Sequence, residues 1–237
     1  MGILTEFVGG KSQVFKKKRY ICRIKNEESK MKKVLILVAA LFVGLQAKAQ
    51  LQVEGGYQHF FEQTQIQVGD TKNISESGWD GLFVGARYNV NLPWVSGLSV
   101  LPGLNFSFMF NKPEGVNNVS CREIALNIPV DIAYTYRVSS SVKLRGFTGP
   151  DFQIGLLNHA VVSGGNSTHS YNLYASTEYL NAARTRLNVS WGFGAGVVVN
   201  GKFTAHVRYE LGMVNLSTAQ YTKLFRNTLQ IGVGYIF

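Results

Sequence analysis

From residue 50 onward, apolar side chains recur at every second position within segments of about ten residues, and no helical period is present. A period of two is typical of strands whose two faces meet different surroundings. The most regular segment has Ile124, Leu126 and Ile128 followed in the same register by Val130 and Ile132. Eight such segments are predicted, at residues 51–57, 82–90, 98–110, 124–134, 142–154, 187–197, 203–211 and 229–237.

The connections between these segments alternate in length. Short turns are predicted at about residues 91–97 and 137–141 and at Asn200-Gly201, a dipeptide typical of two-residue hairpins because both residues tolerate positive φ. Short turns at one end and long loops at the other are typical of outer-membrane barrels. The long connections, rich in Gly, Ser, Asn and Thr, are predicted at about residues 60–79, 111–121, 157–185 and 215–224.

The second face of the predicted strands is polar or small, as at Arg87, Asn127 and Arg208. A soluble barrel such as a lipocalin would turn its apolar face inward and this polar face outward. Aromatic residues favour the opposite arrangement, because they lie near both ends of the strands, as in the girdles at membrane interfaces. They are Tyr88, Trp94, Tyr134, Tyr136, Tyr235 and Phe237 toward the short turns, and Tyr57, Trp79, Phe108 and Phe110 toward the long loops.

Glycines and the last strand also favour a membrane barrel. The run at residues 191–196 alternates glycines with large apolar residues, which predicts a narrow, crowded lumen beneath a bulky outer face. The last predicted strand ends on Phe237 with Tyr235 two residues before it, which resembles the C-terminal assembly signal of outer-membrane barrels. We therefore predict an all-β protein, an eight-stranded antiparallel up-and-down transmembrane β-barrel.

The basic excess of the chain is confined to its first 49 residues. The 237 residues carry a formal net charge of +10, but residues 1–49 contain 11 Lys and Arg and 3 Glu. This leaves 13 basic and 11 acidic residues, a net charge of +2, for the part predicted to fold. The charge therefore gives no support for nucleic-acid binding.

Residues 31–49 have the organisation of a secretory signal peptide. A charged start precedes an apolar run at residues 34–45, and a small-x-small cleavage site follows at Ala47 and Ala49, before Gln50. The apolar run is shorter than the roughly 20 residues that a membrane-spanning helix needs. We therefore expect cleavage after Ala49 rather than retention of the segment as an anchor.

Residues 1–30 precede a methionine, Met31, that begins a complete signal by itself. We interpret them as an extension from a start codon placed too early; the alternative is an unusually long charged beginning of the signal. The exported domain would then be residues 50–237, integral to the outer membrane. It would contain Cys121 but not Cys22, so we expect no internal disulfide.

The charged residues of the polar face are predicted to lie inside the barrel. A ring of eight strands leaves an interior just wide enough for side chains, and an unpaired charge in such a space is costly. We therefore expect a lumen charge network that forms a structural plug; the alternative is a gated ion path. The predicted members are Arg87, Glu123, Asp131, Lys143, Arg145, Asp151, Arg208 and Glu210.

No motif indicates a catalytic, cofactor-binding or metal site, and we expect no cofactor. His206, Arg208 and Glu210 do share one strand face, as a lipid-hydrolysing barrel would require. That face is predicted to be the lumen, away from lipid. The glycines at residues 192–196 repeat with a period of two and precede no helix, so they are not a phosphate loop. Metal-site spacing is absent among the four histidines, His59, His159, His169 and His206.

Several short motifs occur in the order and spacing of a known family: Leu126-Asn127-Ile128-Pro129-Val130, Gly146-Phe147-Thr148-Gly149-Pro150, Gly192-Phe193-Gly194-Ala195-Gly196 and Arg208-Tyr209-Glu210-Leu211-Gly212. With these motifs, and with Ala49-Gln50 at the predicted cleavage site, the chain resembles the PorT-like outer-membrane β-barrel proteins of Bacteroidetes. The resemblance spans nearly all of residues 50–237. It implies an eight-stranded barrel in a Gram-negative outer membrane, in a family named after a protein needed for the secretion of other proteins.

The leading hypothesis for function is a non-enzymatic structural or interaction protein that serves protein secretion or envelope assembly. Its expected partners are outer-membrane lipid, the barrel assembly machinery and an envelope protein bound through external loops, above all residues 157–185. Two alternatives stay open: a narrow porin-like channel, and a lipid-modifying outer-membrane enzyme.

Overall fold

The computed structural model describes residues 49–112, 118–164, 167–175 and 183–237. The predicted N-terminal extension and most of the predicted signal, including Ala47, lie outside the described residues. The described part contains no helix that is long and apolar enough to cross a membrane. Its strands are β1 (Ala49–Val68), β2 (Thr71–Asn91), β3 (Leu98–Asn111), β4 (Val119–Arg137), β5 (Val142–Gly164), β6 (Ser167–Asn172), β7 (Leu187–Val199), β8 (Phe203–Gly212) and β9 (Thr222–Ile236).

Eight of these strands close into a ring. Antiparallel neighbours follow the order β4-β3-β2-β1-β9-β8-β7-β5, and pairing between β4 and β5 closes the ring. The short strand β6 pairs with the last part of β5, beyond the point where β5 pairs with β7. The predicted eight-stranded antiparallel up-and-down barrel is therefore confirmed.

The ring has a polar interior and an apolar exterior. In β3, Asn105 and Ser107 are fully buried, whereas Leu104, Phe106 and Phe108 on the other face are 38–46% exposed. A barrel in water would bury its apolar face, so this arrangement fits a barrel surrounded by hydrocarbon. It also places the charged side chains of the strands in the lumen.

The short connections lie together at one end of the barrel, which we call the short-turn end; the opposite end is the long-loop end. Turns at residues 92–97, 138–141 and 200–202 join β2 to β3, β4 to β5 and β7 to β8. In the last turn, Asn200 and Gly201 have φ angles of 52° and 69°. The predicted tight Asn-Gly turn is confirmed, because both residues adopt positive φ.

The Gly201→Ala variant is expected to lower the free energy of unfolding by about 1–2 kcal/mol, because a Cβ is disfavoured at positive φ. No atom lies within 4 Å of the position that this Cβ would occupy, so backbone strain is the main cost. Urea unfolding in lipid vesicles measures the change. The Asn200→Gly variant, which keeps the turn permissive, should unfold close to the wild type; an equal loss in both variants would contradict this explanation.

Two predicted long loops are largely β-structure, so these predictions were wrong. Strands β1 and β2 run through the predicted loop at residues 60–79 and turn only at Gly69 and Asp70. Strand β5 continues to Gly164 and pairs with β6 inside the predicted loop at residues 157–185. The alternation fades in these segments because apolar and polar residues no longer separate cleanly onto the two faces, whereas the backbone ladder continues.

One side of the barrel wall is therefore taller than the other. Strands β1, β2, β4 and β5 contain 20, 21, 19 and 23 residues, while β7 and β8 contain 13 and 10. Crossing a membrane takes roughly 9–11 residues of a tilted strand. Among the described residues, positions 71–79 of β2 pair with β1 alone. No strand pairs with the other edge of this segment, where Gly78 O accepts a hydrogen bond from Asn111 Nδ2 at 2.7 Å.

Candidate functional site

A group of five side chains, which we call the lower cluster, crosses the lumen and includes two arginines. Arg87 Nη1 and Arg208 Nη1 lie 2.8 Å and 2.5 Å from Asp131 Oδ2. Arg87 Nε pairs with Glu54 at 2.6 Å, and Arg208 Nε pairs with Glu210 at 2.6 Å. All five residues are buried. Asp131 thus links two opposite parts of the ring through charge-assisted hydrogen bonds.

A second group, the upper cluster, lies nearer the long-loop end and is centred on Arg226. Arg226 Nη1 lies 2.5 Å from Glu123 Oε1, and Nη2 lies 2.5 Å from Glu62 Oε1. Arg184, which precedes β7, adds a contact of 2.9 Å from its Nη1 to Glu62 Oε1. The Arg226 guanidinium also lies 4.2 Å from the ring centroid of Phe60, in reach of a cation–π interaction. Two arginines here balance two carboxylates.

The predicted lumen residues differ in what they contact. Arg145 Nη1 donates to Gln52 Oε1 at 3.2 Å and makes no ion pair within the described residues. Asp151 is buried and likewise makes no ion pair there, and its Oδ1 has no hydrogen-bond partner. Lys143 is half-buried near the short-turn end and has no ion pair in the described chain. The predicted lumen residues that do form ion pairs are Arg87, Glu123, Asp131, Arg208 and Glu210.

Sequence reasoning missed four members of the two clusters: Glu54, Glu62, Arg184 and Arg226. Glu62 lies inside a segment that was predicted as a loop, and Arg226 lies between a predicted loop and the last predicted strand. Continuing the period-two alternation of β1 and β9 toward the long-loop end would have found both. Arg184 comes from a segment without periodicity, so no sequence signal identified it.

Trp79 does not belong to an aromatic girdle, and that prediction was wrong. Its side chain is buried in the lumen, where the indole Nε1 donates to Glu62 Oε2 at 3.0 Å. It packs with Phe60 and Met109, and Cys121 of β4 lies against this group rather than in a loop. The position faces inward because β2 continues through the segment predicted as a loop and keeps its register.

Buried polar and charged side chains occupy much of the lumen in the described part of the barrel. A cavity of about 20 Å³ lies beside the lower cluster and is lined in part by Arg145 and His206. A cavity of about 10 Å³ lies beside the upper cluster, against Tyr174 and Asn158. One water needs roughly 10–15 Å³ of such space, so each cavity has room for about one water.

Two long connections meet over the lumen at the long-loop end. The Arg184 backbone N–H donates to Leu173 O at 2.8 Å, and the Thr185 N–H donates to Leu216 O at 2.9 Å. Leu216 is buried beneath them. Burial and the negative charge of Glu123 raise the pKa of Tyr174 to about 12, so this phenol stays protonated. The described parts of these connections, residues 173–175, 183–186 and 213–221, form a cover that Arg184 ties to the upper cluster.

The Arg184→Ala variant is expected to loosen this cover while the barrel stays folded. Arg226 still neutralises Glu62, and Arg184 is partly exposed, so the loss of unfolding free energy should stay near or below about 1 kcal/mol. Hydrogen exchange should become faster at residues 183–186 and 216–218 and stay unchanged in the strands. The exposed Lys223→Ala variant serves as the control. Unchanged exchange over residues 183–186 would show that Arg184 does not hold the cover.

The histidines are divided between the two faces of the barrel. His206 lies inside with Arg208 and Glu210, as the register predicted, and its Nε2 has no hydrogen-bond partner within the described residues. His59 and His159 lie in β1 and β5 and are half-buried on the outer side. Within the described residues, no three His, Cys, Asp or Glu side chains are grouped so that they could hold a metal ion.

Comparison with known families gives one match over most of the chain. The profile of the family described as outer membrane protein beta-barrel domain matches residues 35–237. A search of the curated proteins finds no match.

Several solved structures of bacterial surface proteins are similar to this chain. Ail, the attachment invasion locus protein of Yersinia pestis, is 17% identical, with 78% of this chain and 98% of Ail covered and a TM-score of 0.36. Neisserial surface protein A is 15% identical, with 80% of this chain and 99% of that protein covered and a TM-score of 0.40. The outer membrane protein OprG from Pseudomonas aeruginosa is 10% identical, with 80% of this chain and 96% of OprG covered and a TM-score of 0.39.

Proposed function

Because the chain belongs to the outer membrane protein beta-barrel domain family and is an integral outer-membrane protein, we propose that it is a non-enzymatic barrel that binds another envelope protein. The barrel anchors its tall external wall, and that wall carries the interaction. The resemblance to PorT-like proteins of Bacteroidetes supports a role for this interaction in protein secretion or envelope assembly.

The observation that carries the proposal is the long hairpin of β1 and β2. It extends well past the length needed to cross a membrane, and residues 71–77 present an edge that pairs with no strand among the described residues. An unpaired edge offers a row of backbone N–H and C=O groups to which an extended segment of another protein can add as a strand. Residues 71–78 are all exposed, so a partner can reach them.

The filled lumen supports an interaction role over the porin-like alternative. Ion passage would require separation of Arg226 from Glu62 and Glu123 and of Arg208 from Asp131. Breaking buried pairs of this kind costs about 3–5 kcal/mol when a charge is left uncompensated. The two clusters are therefore better suited to holding the barrel rigid than to conducting.

The lipid-modifying alternative finds little support in the lumen histidine. His206, Arg208 and Glu210 face the interior, where membrane lipid has no access. A deletion strain should therefore keep an unchanged lipid A profile. A profile with altered acyl chains in that strain would instead favour an enzyme.

Photo-crosslinking in living cells tests the proposed interaction. A photoreactive amino acid replaces Ile74, which is 53% exposed on the external hairpin, or Leu82, which is 61% exposed on the apolar belt. We expect one secretion or assembly protein to be crosslinked from position 74 and not from position 82, which should contact lipid. Crosslinking of the same bulk envelope proteins from both positions would contradict a specific external interface.

A further inference from the structure

A polar cluster lies at the border of the apolar outer face of the barrel. Asp80 of β2 accepts a hydrogen bond from the Tyr57 O–H and one from His59 Nδ1 at 2.7 Å. The His59 ring also makes an edge contact with the Phe61 ring, with centroids 4.4 Å apart. The Asp80 side chain is 69% exposed, whereas that of His59 is 21% exposed. A charged carboxylate is thus held in place at the border of the surface that meets hydrocarbon.

The cluster lies where the apolar belt ends toward the long-loop end. On the outer face of β2, Leu82 and Val84 follow Asp80 toward the short-turn end, and both are exposed. On β1, Val53 and Tyr57 likewise lie between His59 and the short-turn end. Long loops mark the external side of outer-membrane barrels. The polar cluster therefore lies at the level of the lipid head groups of the outer leaflet.

A groove of about 1110 Å³ lies beside this cluster and includes His59 and Asp80 in its lining. Aromatic rings form part of its wall, and amide and carboxylate groups form the rest. Binding sites for small molecules commonly combine an apolar wall with a few placed polar groups. The other lining residues that matter here are Phe61, Phe110, Phe225, Gln63, Glu76 and Asn227.

We propose that this groove binds the sugar head group of an outer-leaflet glycolipid. Neighbouring hydroxyls of a sugar both donate and accept hydrogen bonds, which suits a lining of carboxylates and amides such as Asp80 and Asn227. The exposed rings of Phe61 and Phe110 supply apolar surface for the C–H face of a sugar.

The charges of the groove favour an uncharged sugar over a phosphate. Glu62, Glu76 and Asp80 place three carboxylates in the lining, of which Glu62 is paired with Arg226 and Arg184, while Lys112 supplies one cation. A phosphate would be repelled by the carboxylates, because like charges brought together are costly. The groove adjoins the apolar belt at Leu82, so the acyl chains of a glycolipid remain in the bilayer while its head group enters the groove.

The hydrogen bond to Asp80 gives His59 a defined role. It fixes the orientation of the imidazole and uses Nδ1, which leaves Nε2 for a ligand. His59 then contacts the sugar directly, and Asp80 both contacts the sugar and positions His59. The groove also borders Glu62 of the upper cluster, but His59 and Asp80 belong to neither lumen cluster, and substitution of His59 leaves the free edge of β2 intact.

The test uses the full-length protein in phosphatidylcholine nanodiscs that contain glucosyl diacylglycerol as the probe. Native mass spectrometry counts the glycolipid molecules that stay bound after release from the nanodisc. The wild type should retain glucosyl diacylglycerol in preference to diacylglycerol. The His59→Gln and Asp80→Asn variants should retain at most about one tenth as much of this glycolipid, as expected when a hydrogen bond to a charged group is lost. The His159→Gln variant, which changes another outer-face histidine, should behave as the wild type.

Two further probes decide whether the ligand is the proposed one. A phosphorylated glucosyl lipid should be retained less than the uncharged one; preferential retention of the phosphorylated lipid would overturn the proposal. Soluble methyl glucoside should compete only weakly, since it lacks the acyl chains that remain in the bilayer. Equal retention by the wild type and both groove variants, with each variant folded, would also overturn it.

Discussion

The Arg226→Leu variant is expected to lower the free energy of unfolding by about 3–5 kcal/mol, because it leaves buried carboxylates without their cation. Arg226 contacts both Glu62 and Glu123 at 2.5 Å. Arg184 continues to neutralise Glu62, so Glu123 carries most of the penalty. Urea unfolding in lipid vesicles, followed by tryptophan fluorescence, measures the change.

Two variants separate the loss of charge pairing from other effects of this substitution. The Arg122→Leu variant changes an exposed arginine of β4 and should alter stability by no more than about 0.5 kcal/mol. The double variant Arg226→Leu with Glu123→Met removes the stranded carboxylate and should recover part of the lost stability. A double variant less stable than Arg226→Leu alone would contradict this account of the upper cluster.

The Gly56→Ala variant is expected to prevent most of the protein from closing into a barrel. Gly56 of β1 lies opposite Gly232 of β9, and an added Cβ would overlap the Ile231 carbonyl oxygen and lie 2.7 Å from Gly232 Cα. These are backbone atoms of the neighbouring strand, so they cannot move aside without opening the β1–β9 ladder. The folded fraction on a semi-native gel, with and without heating, measures the effect.

The matched control for this prediction is Gly146→Ala in β5. No atom lies within 4 Å of the position that its Cβ would occupy, and the site is on the outer face. This variant should fold as the wild type does. Equal folding of the two alanine variants would show that the close approach of β1 and β9 at Gly56 is not required.

The sequence was sufficient to predict the ring because a strand between polar lumen and apolar exterior must alternate at every second residue. The register of β3 illustrates this, since Asn105 and Ser107 are buried while Phe106 and Phe108 are exposed. The turn at Asn200-Gly201 was also predictable, since few dipeptides tolerate two positive φ angles.

The same alternation could not predict the parts beyond the apolar belt. Once both faces of β1 and β2 meet polar surroundings, alternate residues no longer differ consistently in hydrophobicity. The hairpin at residues 60–79 was therefore predicted as a loop. The inward positions of Glu62 and Trp79 were lost with it. Arg184 reaches the upper cluster because the loop connections fold over the lumen, which is a tertiary contact that no local pattern encodes.

The placement of the outer polar cluster shows a further limit of sequence reasoning. Tyr57, His59 and Asp80 are separated along the chain but become neighbours through the β1–β2 register. A single histidine on an apolar face gives no signal by itself. Only the paired strand supplies the carboxylate that makes the position unusual.

Single-channel recording in planar lipid bilayers tests the central claim most directly, namely that the lumen is a charged plug and that the barrel acts through its exterior. The purified wild type should insert without opening any steady conductance, because the upper and lower clusters fill the lumen. A stable ion-selective conductance in the wild type, altered by replacing Arg208 or Arg226, would contradict the account and establish the lumen as an ion path.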